Sequence, residues 1–479
     1  MGTTPFYVAG RPETSDDVVP VHHPYDGREV GRTSYATPEQ VERAVAAAAA
    51  VADEVAGFPA YRRAAALEHV SQRLAARAED VARLITAENG KPLRWSRAEV
   101  GRAVSTFRWA AEEARRFSGE LQRLDTDASG AGRLALVRRV PRGPVLGISP
   151  FNFPLNLVAH KVAPALAVGT PIVVKPAPST PLSALLLGSL LAETDLPAGA
   201  FSVLPVPNDR AAALVTDPRL PVVSFTGSGP VGWLIREQVP RKHVTLELGG
   251  NAAAVVCADW LSTVDLDWAA DRIATFANYQ AGQSCIAVQR VIVHSSVYDA
   301  FVPRLVAAVA ALRTGDPFDE STDVGPLINE TAAKRVEGWV AEAVAAGARV
   351  LAGGSREGTT YPPTVLTDVP RTASVWAEEV FGPVLVVTRA TDDEAAFEMV
   401  NDSAYGLQVG VFTRDVRTAF AAHRNLRVGG VIVGDVPSYR ADQMPYGGTK
   451  GSGVGREGLR SAMDDYTEPR VLVLTGLGL

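Results

Sequence analysis

The distribution of apolar residues from Pro144 onward constrains the fold more than any other feature of the chain. Short, continuous apolar runs (VLGIS, TPIVVK, FSVLPV, LPVVSF, HVTLEL and NAAAVV) alternate with stretches of helical pattern. A strand covered on one face alternates polar and apolar side chains, whereas a strand buried on both faces is apolar throughout. Such runs, separated by helices, predict a parallel sheet between helical layers, an α/β fold. A later series (QRVIVHS, ARVLAGG, PVLVVTRA, VGVFTR and GGVIVG) predicts a second α/β domain. Two or more domains also suit 479 residues, too many for one compact core.

Upstream the pattern is helical. Thr37-Pro38-Glu39-Gln40 reads as a helix start, with Thr37 as cap and Gln40 reaching back. Further helices are expected from about Tyr61 to Asn89-Gly90, where glycine permits a left-handed cap, and over roughly 96–118. The segment LQRLDTDASGAGRLALVRRVPRG alternates about a Gly/Ser-rich centre and predicts a long β-hairpin.

The net charge of −6 and the lack of a basic tract exclude a typical nucleic-acid binder. No apolar run approaches the roughly 20 residues of a membrane helix, and the N-terminus lacks a secretory signal pattern. Two cysteines, Cys257 and Cys285, make a disulfide framework implausible and point to a reducing cytoplasm. Seven scattered histidines without HExxH or CxxC argue against a metal site.

Two segments match GxGxxG. Gly453-Val-Gly455-Arg-Glu-Gly458 follows a loop, and chance explains it better. Gly227-Ser228-Gly229-Pro230-Val231-Gly232 follows the LPVVSF run and precedes a helix start, so its N–H groups can face a pyrophosphate. A tight turn that binds nothing is equally compatible. The dinucleotide reading wants an acid about 20 residues on, where Glu247 stands, as a ribose ligand. Lys175 ends the TPIVVK run, where open α/β sheets present ligand groups; a snorkelling surface lysine is the alternative.

Nine motifs then appear in order: ISPFNFPLN (148–156), VVKPAPSTP (173–181), SFTGSGPVG (224–232), LELGGN (246–251), GQSCIAVQR (282–290), DVGPLI (323–328), EEVFGPV (378–384), NDSAYGL (401–407) and MPYGGTKGSGVGREG (444–458). Together they resemble the aldehyde dehydrogenase superfamily over nearly the whole chain, in the branch of lactaldehyde, succinate-semialdehyde and non-phosphorylating glyceraldehyde-3-phosphate dehydrogenases. The resemblance implies a Rossmann-type cofactor domain (1–118 and 142–247), an α/β catalytic domain (248–450) and a β oligomerisation arm (119–141 and 462–479). It implies a homodimer or homotetramer.

It also implies roles. Cys285 is the nucleophile that forms a thiohemiacetal and then a thioester. Asn152 and the Cys285 N–H hold the oxyanion. Glu247 becomes the general base for thioester hydrolysis rather than a ribose ligand. Lys161 and Glu457 resemble a proton-relay pair, with a buried structural ion pair as the alternative. Lys175 reaches the adenosine ribose; Gly227, Ser228 and Gly232 line the pyrophosphate; Thr226 sits near the carboxamide; Glu379 and Phe381 flank the nicotinamide ribose and ring. Many NAD-using members carry a glutamate three residues after this lysine. Pro178 stands there instead, which favours NADP over NAD because no carboxylate repels a 2′-phosphate. On the substrate side the candidates are Phe153, Arg108, Ser284 and Arg440. The two arginines suggest a short polar or carboxylated aldehyde such as lactaldehyde or a semialdehyde. The rival readings are a CoA-acylating dehydrogenase, an esterase that uses only the cysteine, and a non-catalytic protein on the same fold.

Overall fold

A computed structural model describes residues 2–476; Met1 and the end of the expected 462–479 arm segment, residues 477–479, lie outside the described residues. Two α/β sheets dominate it. The first has eight strands in the spatial order Gly453–Val454, His243–Glu247, Val222–Thr226, Val145–Ile148, Ile172–Lys175, Phe201–Val203, Phe6–Val8 and Arg11–Glu13. Its five central strands run parallel and the edges antiparallel. The central runs are buried throughout, as their apolar composition requires. Strand order reverses beside Val145–Ile148, with the two following strands on one side and the next two on the other. Open α/β sheets bind ligands at the carboxyl ends of strands flanking such a reversal.

The second sheet has seven strands: Arg349–Ala352, Thr364–Thr367, Val384–Ala390, Arg290–His294, Ala253–Val256, Gln408–Phe412 and Gly430–Val433. All pairs are parallel except the first. Ala253–Val256, the last run of the first series, opens this sheet rather than closing the preceding one. Thr364–Thr367 has no counterpart among the expected strands; it is four residues long and follows Pro362-Pro363, which breaks the pattern.

Thr37 forms the expected capping box with Gln40 at the start of helix Pro38–Ala50. The helix expected from Tyr61 to Asn89 is two, Ala60–Ala76 and Ala78–Asn89. The Arg77 amide is shared between the Arg73 and Leu74 carbonyls, a tightened turn that ends the first helix. Gly90 caps the second in the left-handed region (φ 76°). The 121–143 segment forms the hairpin Glu120–Arg123 with Arg133–Pro141, joined by Thr467–Thr475 into a three-stranded antiparallel sheet. Among the described residues no helix is long and apolar enough to cross a membrane.

His243–Glu247 ends the parallel run of the first sheet, and LGGN carries the chain directly into Ala253–Val256 of the second. The carboxyl edge of one sheet therefore faces the amino edge of the other. Residues at strand ends of the first (Ile148 onward, Lys175, Thr226, Glu247) meet residues that precede strands of the second (Cys285, Glu379).

Candidate active site

Cys285 lies in the turn between helix Thr263–Asn278 and strand Arg290–His294. The turn is strained: Gln280 and Ala281 both have positive φ (54° and 55°), a conformation costing about 1–3 kcal/mol per non-glycine residue. Three clamps hold it. The Gln280 side chain donates to the Asn152 carbonyl. The Gln283 amide donates to the Gln280 and Pro326 carbonyls and accepts the Ile328 N–H at 2.8 Å, which accounts for the DVGPLI motif. Gly282 (φ 69°) passes so close to the Gly382 carbonyl that any side chain would collide with it.

Asn152 follows strand Val145–Ile148 and is buried beside this turn. Its Nδ2 donates to the Gln283 carbonyl at 3.0 Å, leaving its second N–H for another acceptor. The Cys285 backbone N–H makes no hydrogen bond among the described residues. Asn152 thus reaches the Cys285 turn with one N–H to spare, and the Cys285 N–H has no acceptor among the described residues; two such donors are what an oxyanion hole requires.

Glu247, the last residue of its strand, is buried, and neither carboxylate oxygen has a hydrogen-bond partner among the described residues. Burial raises its pKa well above the ordinary value, and the charge of Glu457 raises it further. Glu457 titrates the other way: burial opposes ionisation, but Arg440, His160 and Lys161 outweigh it and hold the carboxyl low. Of the two carboxyls, Glu247 therefore holds a proton more readily than Glu457. Glu457 faces Arg440 at 3.4 Å and His160 at 3.9 Å. His160 and Arg102 both contact Asp442, at 3.1 and 2.9 Å. Lys161 does not pair directly with Glu457, as the expected relay would have it; its Nζ donates to Ser224 and Thr226 at 3.1 and 2.7 Å. The helix carrying Lys161 packs that lysine against the strand ending at Thr226, whose hydroxyls are nearer acceptors. Of the second glycine run, Gly453–Val454 pairs with the 243–247 strand and Gly458 precedes the short helix Leu459–Asp465, with Glu457 between them.

On the other side of Cys285 the expected dinucleotide residues gather along the first sheet's carboxyl edge. Lys175 is 3% exposed, with Nζ donating to Asn208 at 2.8 Å, and burial pulls its pKa down to about 8. Pro178 lies three residues beyond it, half-buried. Gly227 follows Thr226, and exposed Ser228 precedes helix Gly229–Gln238 without capping it, so the first-turn N–H groups keep their donors free for an anion. Gly232 brings the helix close to the sheet, where an added Cβ would collide with Leu248 and crowd Phe225. Glu379 accepts the Gly250 N–H at 3.0 Å, with burial raising its pKa to about 7. Phe381 has φ 46° and meets Phe151 edge-on at 5.8 Å.

A cavity of about 230 Å³ opens over Cys285, walled by Phe153, Phe276, Tyr446 and three arginines, Arg102, Arg272 and Arg440. Ser284 lies in its wall, hydrogen-bonded to the Tyr279 hydroxyl at 2.5 Å. Arg440 is not at an entrance: its side chain is buried, stacked on Tyr446 at 3.9 Å, and its Nε has no hydrogen-bond partner among the described residues. Arg108 does not reach the cavity. Trp95, Ala98, Glu99 and Arg102 share the cavity-facing stripe of helix Leu93–Arg116. Six residues on, at about 100° per residue, Arg108 points roughly 240° away; it is exposed and packs over Trp109. Helix phase alone would have chosen Arg102.

The aldehyde dehydrogenase family model matches residues 11–472. The chain belongs to the aldehyde dehydrogenase family. It is similar to 3-sulfolactaldehyde dehydrogenase of Priestia aryabhattai, 42% identical over 98% of this chain and 97% of that protein. Its structure resembles that of aldehyde dehydrogenase 21 from Physcomitrella patens in complex with its product succinate (TM-score 0.97, 45% identity, 99% of both chains). It also resembles the NADP-dependent glyceraldehyde-3-phosphate dehydrogenase of Bacillus halodurans complexed with NADP (TM-score 0.94, 34% identity, 99% of this chain and 100% of that chain).

As an aldehyde dehydrogenase, the protein is an oxidoreductase acting on aldehyde groups, in an NAD(P)-dependent family. The edge described above fits such a dinucleotide: an uncapped helix start, a buried lysine with N–H groups to spare, and a carboxylate at the mouth of the Cys285 turn. Tyr446, Arg102, Arg272, His160 and Asp442 were not singled out from the sequence. Tyr446 lay inside a quoted motif, and Asp442 two residues before it; Arg272 and His160 carried no signal beyond position on a helix.

Proposed function

We propose that this aldehyde dehydrogenase oxidises a short aldehyde bearing a carboxylate or sulfonate to the corresponding acid, with Cys285 as nucleophile. The observation that carries this is the small cavity over Cys285 with three arginines in its wall. Its volume falls below the range of about 300–1,000 Å³ typical of drug-sized ligands, which favours a substrate of few carbons. Three guanidinium groups beside one cavity suit a bidentate anion. Arg102 and Arg272 already hold Asp442 and Asp435, whereas Arg440 retains a buried, unpartnered Nε, so Arg440 is the first choice for the anion. Sulfolactaldehyde and succinate, from the names of the similar proteins, are both short anions.

The residues act as follows. Cys285 Sγ attacks the carbonyl carbon, and Asn152 Nδ2 with the Cys285 N–H receives the developing oxyanion. Bound NAD(P)⁺ supplies the hydride acceptor. Lys175, Thr226, Gly227, Ser228, Gly232, Glu379 and Phe381 would hold it, and Pro178 in place of an acid favours NADP⁺. Once the adduct has lost hydride, Cys285 carries a thioester. Glu247, as carboxylate, takes a proton from the attacking water, and the acid leaves with the sulfur restored. Glu457, Arg440 and Lys161 act on Glu247 through their charges, since no direct Lys161–Glu457 contact exists.

The hairpin at 119–141 and strand Thr467–Thr475 form the arm we assign to subunit contacts. Leu121, Val471, Leu472 and Val473 are exposed on it, apolar surface that pairing with further copies would cover. Two free cysteines fit a reducing cytoplasm.

The test is nicotinamide reduction by wild type and Cys285→Ala with succinic semialdehyde, 3-sulfolactaldehyde, lactaldehyde and neutral propanal, with NAD⁺ and NADP⁺ in parallel. Turnover that prefers the anionic aldehydes and vanishes in the variant supports the proposal. Equal use of propanal removes the anion reading, and turnover surviving the substitution removes Cys285.

A further inference from the structure

The side chain that touches the sulfur of Cys285 is Tyr446, whose Oη lies 2.9 Å from Sγ. Tyr446 is held from three directions. Its backbone forms an isolated antiparallel bridge with Glu457, the two N–H groups donating to each other's carbonyls at 2.8 and 2.6 Å. Its ring is buried against Ile286 and Leu407. The Arg440 guanidinium sits over the ring face at 3.9 Å. Among the described residues the hydroxyl has no hydrogen-bond partner except the sulfur.

A thiol in apolar surroundings resists ionisation. Burial pushes Cys285 up to about 12, opposed chiefly by the Tyr446 contact. The hydroxyl and the sulfur can bond in either sense, and the two senses have opposite effects. A thiol donating to the phenol oxygen keeps its proton; a phenol donating to sulfur stabilises the thiolate, as charge-assisted bonds do. The cation over the ring draws density from the phenol and makes its O–H the better donor. Burial also holds the Tyr446 hydroxyl well above its ordinary pKa, so it keeps its proton while the sulfur gives one up.

We propose that Tyr446 is a catalytic residue whose hydroxyl donates to the Cys285 thiolate and holds the sulfur in its nucleophilic form before attack. This rests on Cys285 being the nucleophile. When sulfur bonds to carbon and loses its charge, the hydroxyl bond weakens, so the contact favours the attacking state over the adduct. The net gain is bounded. Lowering a thiol's pKa by about one unit raises the thiolate fraction about tenfold below that pKa but costs about threefold in intrinsic nucleophilicity, leaving about threefold.

Tyr446→Phe tests this, because it removes one oxygen and keeps the ring under Arg440. The measurement is the rate of iodoacetamide alkylation of Cys285 against pH, read by peptide mass without aldehyde or cofactor, with Cys285→Ala as blank. The expected result is an apparent pKa about one unit higher in the variant and alkylation about threefold slower near neutral pH. An unchanged or lower apparent pKa overturns the proposal. Should the phenylalanine variant not fold, 3-fluorotyrosine incorporated at position 446 alone gives a stronger donor. It must then lower the apparent pKa, and an unchanged or raised value overturns the proposal. Because no substrate is present, this outcome is independent of the aldehyde panel; failure of Cys285 as nucleophile would appear instead as turnover by Cys285→Ala.

Discussion

The two walls that meet at Cys285 are built by different means. The wall formed by the first sheet is made of strand ends: Asn152, Lys175, Thr226 and Glu247 each follow or end a parallel strand, and backbone groups supply much of its chemistry. The opposite wall is made of long side chains from unrelated elements: Arg102 from one helix, Arg272 from another, Arg440 and Tyr446 from a loop. The first wall is fixed by the sheet and leaves a carboxylate, Glu247, without a hydrogen-bond partner among the described residues. The second is fixed by ion pairs, with Arg102 on Asp442, Arg272 on Asp435 and Arg440 on Glu457. Reaction chemistry needs geometry that does not move, which strand ends provide. Substrate choice needs charge and shape, which side chains can change without disturbing the sheet.

Damage to the first wall should therefore slow every aldehyde alike, and damage to the arginines of the second should discriminate between aldehydes, whereas Tyr446, which touches the sulfur, belongs with the first in effect. The largest effect is expected at Glu247. Glu247→Gln should lower kcat by about 10²–10⁴, the range for loss of a general base, while a first burst of reduced nicotinamide persists. Stopped-flow absorbance separates the two phases. In the wild type the base must lose its proton, and burial has raised its pKa, so kcat should climb with pH through that raised value; the pH–kcat profile checks this.

Asn152→Ala comes next, with kcat lower by about 10²–10³ for charged and neutral aldehydes equally. Equal loss on propanal and succinic semialdehyde in steady-state assays is the signature. On the second wall, Arg440→Lys keeps the charge facing Glu457 but loses the forked geometry. It should cost about tenfold in kcat/KM for the anionic aldehydes, the low end of a charge-assisted hydrogen bond, and distinctly less for propanal, which loses only the stacking on Tyr446. The smallest effect belongs to Arg108→Ala, which should leave kcat and KM unchanged for all substrates, because that side chain faces away from the cavity. A selective loss there would reverse the assignment of helix faces.

The same contrast explains what could be read from the sequence. Strands buried on both faces leave continuous apolar runs, so both sheets were legible, and so was the edge where Lys175, Thr226 and Glu247 end their strands. The exceptions were short or interrupted elements such as Thr364–Thr367 behind two prolines. Cys285, Asn152 and Glu247 stand in compact motifs because tight turns and close backbone approach demand particular neighbours. The arginine wall leaves no such trace. Arg102, Arg272 and Arg440 lie far apart in sequence and converge only through packing, so one arginine was expected at the wrong turn of its helix and another was placed at an entrance it does not occupy. The pairing of Glu457 with Arg440 in place of Lys161 was hidden for the same reason.

The central claim, a thioester on Cys285 hydrolysed with the help of Glu247, is tested most directly by trapping it. Glu247→Gln would be mixed with NADP⁺ and an aldehyde that the wild type oxidises, quenched in acid, digested and examined by mass spectrometry. The account predicts that the peptide carrying Cys285 gains the mass of the acyl group, and that the wild type shows little of it. No adduct at Cys285, an adduct on another residue, or undiminished turnover by the variant would contradict it.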